Sequence, residues 1–95
     1  MASSEAARPL LRIRFCCRCR WWLRAGWMAQ ELFSTFGDAI AVQLELGDGG
    51  EFTIHTGGHC IWDRRTDDGF PEAKQLKQLV RDHCFPDVDI GHAGR

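Results

Sequence analysis

No stretch of this 95-residue chain approaches the roughly 20 consecutive apolar residues that span a bilayer, and residues 1–9 lack the apolar segment of a secretory signal. The expectation is a cytoplasmic protein with no membrane partner. Excess charge of one sign is also missing. Twelve basic and thirteen acidic side chains leave a formal charge of -1, so no whole-protein field draws in phosphate backbones, and nucleic acid is not an expected partner. A second C-x-x-C is absent, as is a Cys/His pair at finger-like spacing, which argues against a closed zinc site. In a reducing compartment the five cysteines are not a structural disulfide framework; they are candidates for catalysis, metal binding or packing.

What is present suffices for one domain. A chain of this length buries roughly 60–65% of the surface its unfolded form exposes, and four Trp and six Phe supply large apolar surfaces for a core. The charge is unevenly spread: Arg8, Arg12, Arg14, Arg18, Arg20 and Arg24 crowd the first quarter, whereas Asp63, Asp67, Asp68, Asp82, Asp87 and Asp89 come later. A local positive field therefore surrounds the first cysteines.

Residues 1–9 are polar and small, and read as a disordered leader. Leu11, Ile13 and Phe15 then alternate with Arg12 and Arg14, predicting a strand over Leu10–Phe15. Trp22, Ala25, Met28, Ala29, Leu32, Phe33 and Phe36 share one stripe at helical spacing, predicting a helix from about Cys19 to Phe36 that Gly37-Asp38 stops. Leu23 and Trp27 fall on its other side. Ile40, Val42, Leu44 and Leu46 alternate as a second strand, and the turn at Gly47–Gly50 reads locally as a hairpin to a third strand over Glu51–Thr56. Cys60-Ile61-Trp62 is a fourth strand, ending at a charged loop, Asp63–Asp68. Pro71 is placed as the first residue of a second helix that carries Ala73, Leu76, Leu79, Val80 and Cys84 on one face and stops before Pro86. The order β-α-β-β-β-α predicts an α/β two-layer sandwich, a four-stranded mixed sheet with two helices.

The chemistry centres on Cys16-Cys17-Arg18-Cys19, a C-x-x-C where a strand gives way to a helix. Unpaired N–H groups at a helix start stabilise a thiolate, and Arg14, Arg18 and Arg20 add positive charge as supporting residues. Together these are expected to bring a thiol from its free value of about 8.5 into roughly the 6–7.5 range. One thiolate attacks a partner's disulfide, and the other resolves the mixed disulfide by closing Cys16–Cys19. The reaction needs no bound cofactor.

Ile13 to Cys19, the Trp-rich helix with Ala29-Gln30-Glu31-Leu32, Gly50-Glu51-Phe52, Ile61-Trp62, Gly69-Phe70-Pro71-Glu72 and Gln78-Leu79-Val80-Arg81-Asp82 together resemble the selenoprotein W-like family. The resemblance runs from about Leu10 to His92, making 10–92 the domain and 93–95 a loose tail. It implies a stripped-down thioredoxin-like fold with the first strand between the second and third, which overrides the hairpin. It also implies a redox-active C-x-x-C or C-x-x-selenocysteine centre and a glutathione- or thioredoxin-linked role in peroxide defence or redox signalling. Protein thiols or disulfides are the implied partners, with glutathione as a co-substrate. Selenium-containing members carry the selenium at the position of Cys19, where this chain has sulfur, which is slower and harder to recover under peroxide. Thioredoxin precedent gives the attack to Cys16 and the selenium position points to Cys19; the expectation adopted is that Cys16 attacks and Cys19 resolves.

The remaining features have plainer readings. Cys17 is an incidental side chain facing away from Cys16; Cys60 and Cys84 are small core residues. Trp21 and Trp22 are packing aromatics. Leu23 and Trp27 are candidates for a docking patch, and Phe70 with Pro71 for shaping access to the cysteine loop. Two alternatives to the exchange protein stay open. One is a non-catalytic interaction module whose thiols sense oxidation; the other is a small metal-binding protein using Cys16, Cys17, Cys19 and one of His55, His59, His83 or His92.

Overall fold

Strand β1 (Leu10–Phe15) forms where the sequence alternates most strictly, and its apolar half, Leu11, Ile13 and Phe15, is buried. A strand so completely covered belongs in the middle of a sheet, and the computed structural model, which describes residues 8–87, places it there. Residues 1–7 of the expected leader and the expected tail lie outside the described residues, as does His92. β1 runs parallel to β2 (Ala41–Leu46), with Leu10 opposite Ala41 and Phe15 opposite Leu46. Its other edge pairs antiparallel with β3 (Phe52–Thr56), which pairs antiparallel with β4 (His59–Asp63), giving the order β2-β1-β3-β4. Gly47–Gly50 therefore carries the chain past β1 rather than closing a hairpin, as the thioredoxin-like arrangement requires.

The parallel pair β1–β2 needs a crossover, and α1 (Trp22–Phe36) supplies it. It starts three residues later than its apolar pattern predicts. A 3₁₀ turn at Cys17–Cys19 comes first and ends on Arg20, whose left-handed backbone (φ 61°, ψ 28°) breaks the path. Ala25, Met28 and Leu32 bury against the sheet, but Trp22 and Phe33 from the same predicted stripe remain exposed. The stripe is wider than the contact available to it. Leu44 and Leu46 on the edge strand share the sheet face of Ile13 and Phe15 through their register, and they too are left uncovered, Leu46 being 66% exposed.

The second long helix, numbered α3 because a single helical turn precedes it, spans Ala73–Cys84 and buries Leu76 and Val80. Glu72 is its cap, so Pro71 lies just outside the helix instead of on its first turn, and is buried. The preceding turn, α2 (Arg64–Asp67), stands where the sequence predicted a solvated loop. Reciprocal capping builds it: the Arg65 N–H donates to the Asp63 carboxylate and the Asp63 N–H to Asp67, each at 2.9 Å.

Cys60 departs from its expected core position. A register irregularity between Ile54 and His55 sets Cys60 opposite His55, on the sheet face that also carries Arg12, while Trp62 lies opposite Ile54 on the core face. Cys60 is exposed as a result, and Cys84 is half-buried beside Thr56, Sγ to Oγ1 3.7 Å.

Lys77 is the unexpected core member. Only 1% exposed, it sits between α3 and α1 and its ammonium lies 3.0 Å from the Glu31 carboxylate. Removing Glu31 leaves that charge buried without its partner, whereas replacing the lysine with an apolar chain of similar length removes the need for one. Urea unfolding is expected to show Glu31→Ala losing about 2–4 kcal/mol and Lys77→Met staying within about 1 kcal/mol of the parent.

Candidate active site

The candidate site is assembled from the C-terminal end of β1, the turn after it and the loop entering β3. The Cys16 N–H donates to the Glu51 carbonyl at 2.9 Å, extending the β1–β3 ladder by one residue and fixing the cysteine at the sheet's end. Cys17–Cys19 then turns back, with the Cys19 N–H reaching the Cys16 carbonyl at 3.4 Å. This brings the two sulfurs together: Cys19 Sγ donates to Cys16 Sγ at 2.9 Å. Both are free thiols, and the intramolecular disulfide expected of an oxidised form is not made. Cys17 points outward and is exposed.

The two thiols differ in the properties that matter for attack. Cys16 is pulled down to about 7, first by the hydrogen bond from Cys19, then by the backbone amide of Gly50, against the opposing effect of burial. Cys19 is pushed up, because its proton is held by the Cys16 sulfur and because burial and the Cys16 charge disfavour a second thiolate. Access runs the other way: Cys16 is 2% exposed and Cys19 is exposed. The acidified sulfur lies one sulfur's width behind the accessible one.

The supporting groups differ from those the sequence nominated. Arg14 is committed elsewhere, 2.8 Å from Glu51 and 3.1 Å from Glu45, in a ladder that Arg12 completes at 2.8 Å from Glu45. These guanidiniums hold both carboxyls down at about 2. Arg18 favours the Cys16 thiolate through its backbone amide. The guanidiniums of Arg18 and Arg20 are exposed and, among the described residues, are not paired with a carboxylate.

Two residues with a direct bearing on the thiols were missed. Gly50, at φ 78°, lends its amide to both sulfurs, and a side chain there would press on the Arg65 guanidinium at 3.3 Å. Arg64 grips the Gly50 carbonyl with Nε at 3.3 Å and Nη2 at 3.2 Å, lies 5.0 Å over the Trp21 ring, and lowers Cys19 by its charge. Arg65 adds a hydrogen bond to the Gly49 carbonyl at 3.0 Å. The only sequence signals were a glycine pair in a turn and an Arg-Arg pair in a charged loop, and neither marks a site by itself.

Among the nominated docking residues, Phe70 and Pro71 are core-edge material. Phe70 packs edge-on to Trp21 and Phe52, with ring centroids 5.0 and 4.9 Å apart, and Arg24 stacks on it at 4.2 Å. This aromatic cluster packs against the core beside Trp21, two residues after Cys19. Leu23 and Trp27 are 72% and 41% exposed and, with Cys19, Arg20, Trp21 and Arg24, line a groove of about 580 Å³. Among the described residues no group of three or more His, Cys, Asp or Glu is placed to hold a metal, and no helix is long and apolar enough to cross a membrane.

The profile of the Rdx family matches residues 10–82, which takes in all four strands, both cysteines and most of α3. The chain belongs to the Rdx family. A crystal structure of a protein from Bordetella parapertussis is 57% identical to it with a TM-score of 0.77, covering 80% of this chain and 98% of that one. A selenoprotein W-related protein from Vibrio cholerae is 45% identical, again with a TM-score of 0.77, over 81% of this chain and 98% of its own. No match is found among the curated proteins. Rdx membership makes the chain a selenoprotein W-like protein of thioredoxin-like fold and points to a redox-related function.

Proposed function

We propose that this Rdx-family chain is a thiol-disulfide exchange protein acting on protein or glutathione disulfides in the cytoplasm. The observation that carries the reading is the Cys19–Cys16 hydrogen bond at 2.9 Å, which brings the Cys16 thiol down to about 7, so that about half of it is thiolate at neutral pH. Cys16 attacks one sulfur of a substrate disulfide: a Cys16–substrate bond forms, the substrate S–S bond breaks, and the departing sulfur leaves as a thiolate. Cys19 then gives up its proton to solvent or to that thiolate and attacks the Cys16 sulfur. The Cys16–Cys19 bond closes and the second substrate thiolate is released. Two electrons pass from protein to substrate; two glutathione thiols, or one dithiol protein, return them by the reverse steps.

For Cys16 to be reached, the Cys19 sulfur must rotate aside, a small motion because the Cys17–Cys19 turn buries none of its own residues. The test is equilibration against a graded glutathione buffer, with thiol trapping and mass spectrometry. A single two-electron transition to an intramolecular Cys16–Cys19 bond, within the roughly -270 to -120 mV that such pairs span, is expected. Thiols that stay reduced across the range would overturn the reading. The exposed apolar residues Trp22, Phe33, Leu44 and Leu46 favour a second reading, a redox-sensing interaction module, which predicts stoichiometric oxidation without turnover.

A further inference from the structure

The arginines from Arg12 to Arg24 fall into two groups. Arg12 and Arg14 on the sheet are each within 3.1 Å of a carboxylate, Glu45 or Glu51. Arg18, Arg20 and Arg24, at the cysteine turn and the first turn of α1, make no ion pair among the described residues; Arg24 instead lies over Phe70, leaving its charge uncompensated. Arg20 and Arg24 line the groove that begins at Cys19, and Leu23 and Trp27 form its apolar part. Leu23 and Trp27 are one helical turn apart, about 6 Å along the axis. A groove that begins at Cys19, the thiol covering Cys16, with an apolar wall along its length and unpaired cations on its rim is complementary to a segment with the opposite charge and a matching apolar side chain.

We propose that this groove docks an extended, acidic protein segment whose own cysteine carries the disulfide to be exchanged. The proposal rests on the exchange reading above and names its substrate class. A strand-like segment advances about 3.3 Å per residue. From a substrate sulfur joined to Cys16, whose Sγ lies 2.9 Å from that of Cys19, a large apolar side chain about two to four positions away is directed to Leu23 and Trp27, and acidic neighbours to Arg20 and Arg24. Oxidised glutathione has no side chain for the apolar wall and gains only from the charges. Trp and Arg are the residue types that most often dominate binding at such surfaces.

The experiment uses the full chain and two peptides, each with one cysteine disulfide-linked to glutathione and a leucine three positions away. One peptide has three flanking acidic residues; in the other these are Asn and Gln. Oxidation of the protein by each peptide and by oxidised glutathione is followed as a second-order rate constant. The acidic peptide is expected to react about tenfold faster than its neutral analogue at low salt, a preference that shrinks at 1 M salt, where screening acts over about 3 Å. Trp27→Ala and Leu23→Ser are expected to lower the ratio of peptide to glutathione rates about tenfold, the usual scale for losing an anchoring side chain. Leu44→Ser, an exposed apolar site outside the groove, should leave the ratio unchanged.

Equal rates for the two peptides, or an unchanged ratio in Trp27→Ala, would overturn the proposal. A serine-for-cysteine version of each peptide, read by fluorescence anisotropy, separates docking from chemistry. If no disulfide reacts but the acidic peptide still binds more tightly than the neutral one, the groove stands and the exchange reading fails. If both react yet neither discriminates, the reverse holds. Concentration-dependent dimers lost in Trp27→Ala would give the groove to a second copy of the chain and also overturn the proposal.

Discussion

Alkylation of Cys16 by a small iodoacetamide, followed against pH, is expected to rise through a midpoint near 7, and Cys19→Ala is expected to move that midpoint up toward the ordinary thiol range. The sign follows from which form each contact favours. The Cys19 thiol donates to the Cys16 sulfur and so stabilises the Cys16 thiolate, the largest single influence on it. Without that donor, the Gly50 amide remains but burial still opposes the charge, so the titration climbs toward about 8.5 and roughly tenfold less Cys16 is ionised at pH 7. Cys19→Ser keeps a hydroxyl donor and should fall between the parent and the alanine variant. Cys16→Ser should have the opposite effect on Cys19, lowering its titration, because the sulfur that held its proton and the thiolate charge that opposed it are both gone. The two single variants thus converge on ordinary thiols from opposite sides.

The same pair settles the division of labour. If Cys16 attacks, Cys19→Ser accumulates a mixed disulfide with substrate, because nothing resolves it, while Cys16→Ser loses at least about a hundredfold in rate, as expected when the ionised nucleophile is removed. A mixed disulfide that instead accumulates in Cys16→Ser would reverse the roles and show that access outweighs ionisation. Alkylation is read from fragment ions of the tryptic peptides, because Cys16 and the exposed Cys17 share the peptide Phe15–Arg18 while the exposed Cys60 falls on another.

The sequence carried the parts of this site that lie along one stretch of chain. Alternation in Leu10–Phe15 placed a strand, the cysteines followed it at a spacing that lets two sulfurs meet, and the order of elements gave the layers. The parts it did not carry are those made between distant stretches. Arg64 reaches the site through the carbonyl of Gly50, fourteen residues away, and a backbone carbonyl is a group every residue possesses. Nothing in the identity of either residue announces the contact. Periodicity likewise says which face of an element is apolar but not how much of that face is covered. Trp22, Phe33, Leu44 and Leu46 obey their patterns yet stay exposed, Leu44 and Leu46 on an edge strand that has a neighbour on one side only. Cys60 fell on the unexpected side because a single register irregularity changes the phase of every residue beyond it.

Arg64 is expected to be the strongest single lever on the thiols outside the cysteines themselves. Its guanidinium grips the Gly50 carbonyl with two donors, which aims the Gly50 amide at the sulfurs, and its charge lies close enough to favour a Cys19 thiolate. The Trp21 ring 5.0 Å away holds the guanidinium by a cation–π contact, and two donors on one carbonyl are an arrangement that a planar, forked cation makes and an ammonium does not. Arg64→Ala should therefore raise both thiol titrations, by up to about one pH unit for Cys16, and slow alkylation at pH 7 by up to about tenfold. Arg64→Lys restores the charge without the two-donor fork, so it should recover part of the Cys19 effect and little of the Cys16 effect. Salt separates the two routes. A direct charge effect fades as ionic strength rises from 0.1 to 1 M, whereas an amide held in position by hydrogen bonds does not. A Cys16 titration in Arg64→Ala that differs from the parent equally at both salt concentrations would identify the Gly50 amide as the carrier; a difference that disappears at 1 M would assign it to the charge alone; and no difference at either concentration would remove Arg64 from the site. In a background where Trp22, Trp27 and Trp62 are replaced by Phe, the fluorescence of Trp21 should change with loss of the guanidinium 5.0 Å from its ring, while an unchanged far-UV circular dichroism spectrum shows that the fold remains.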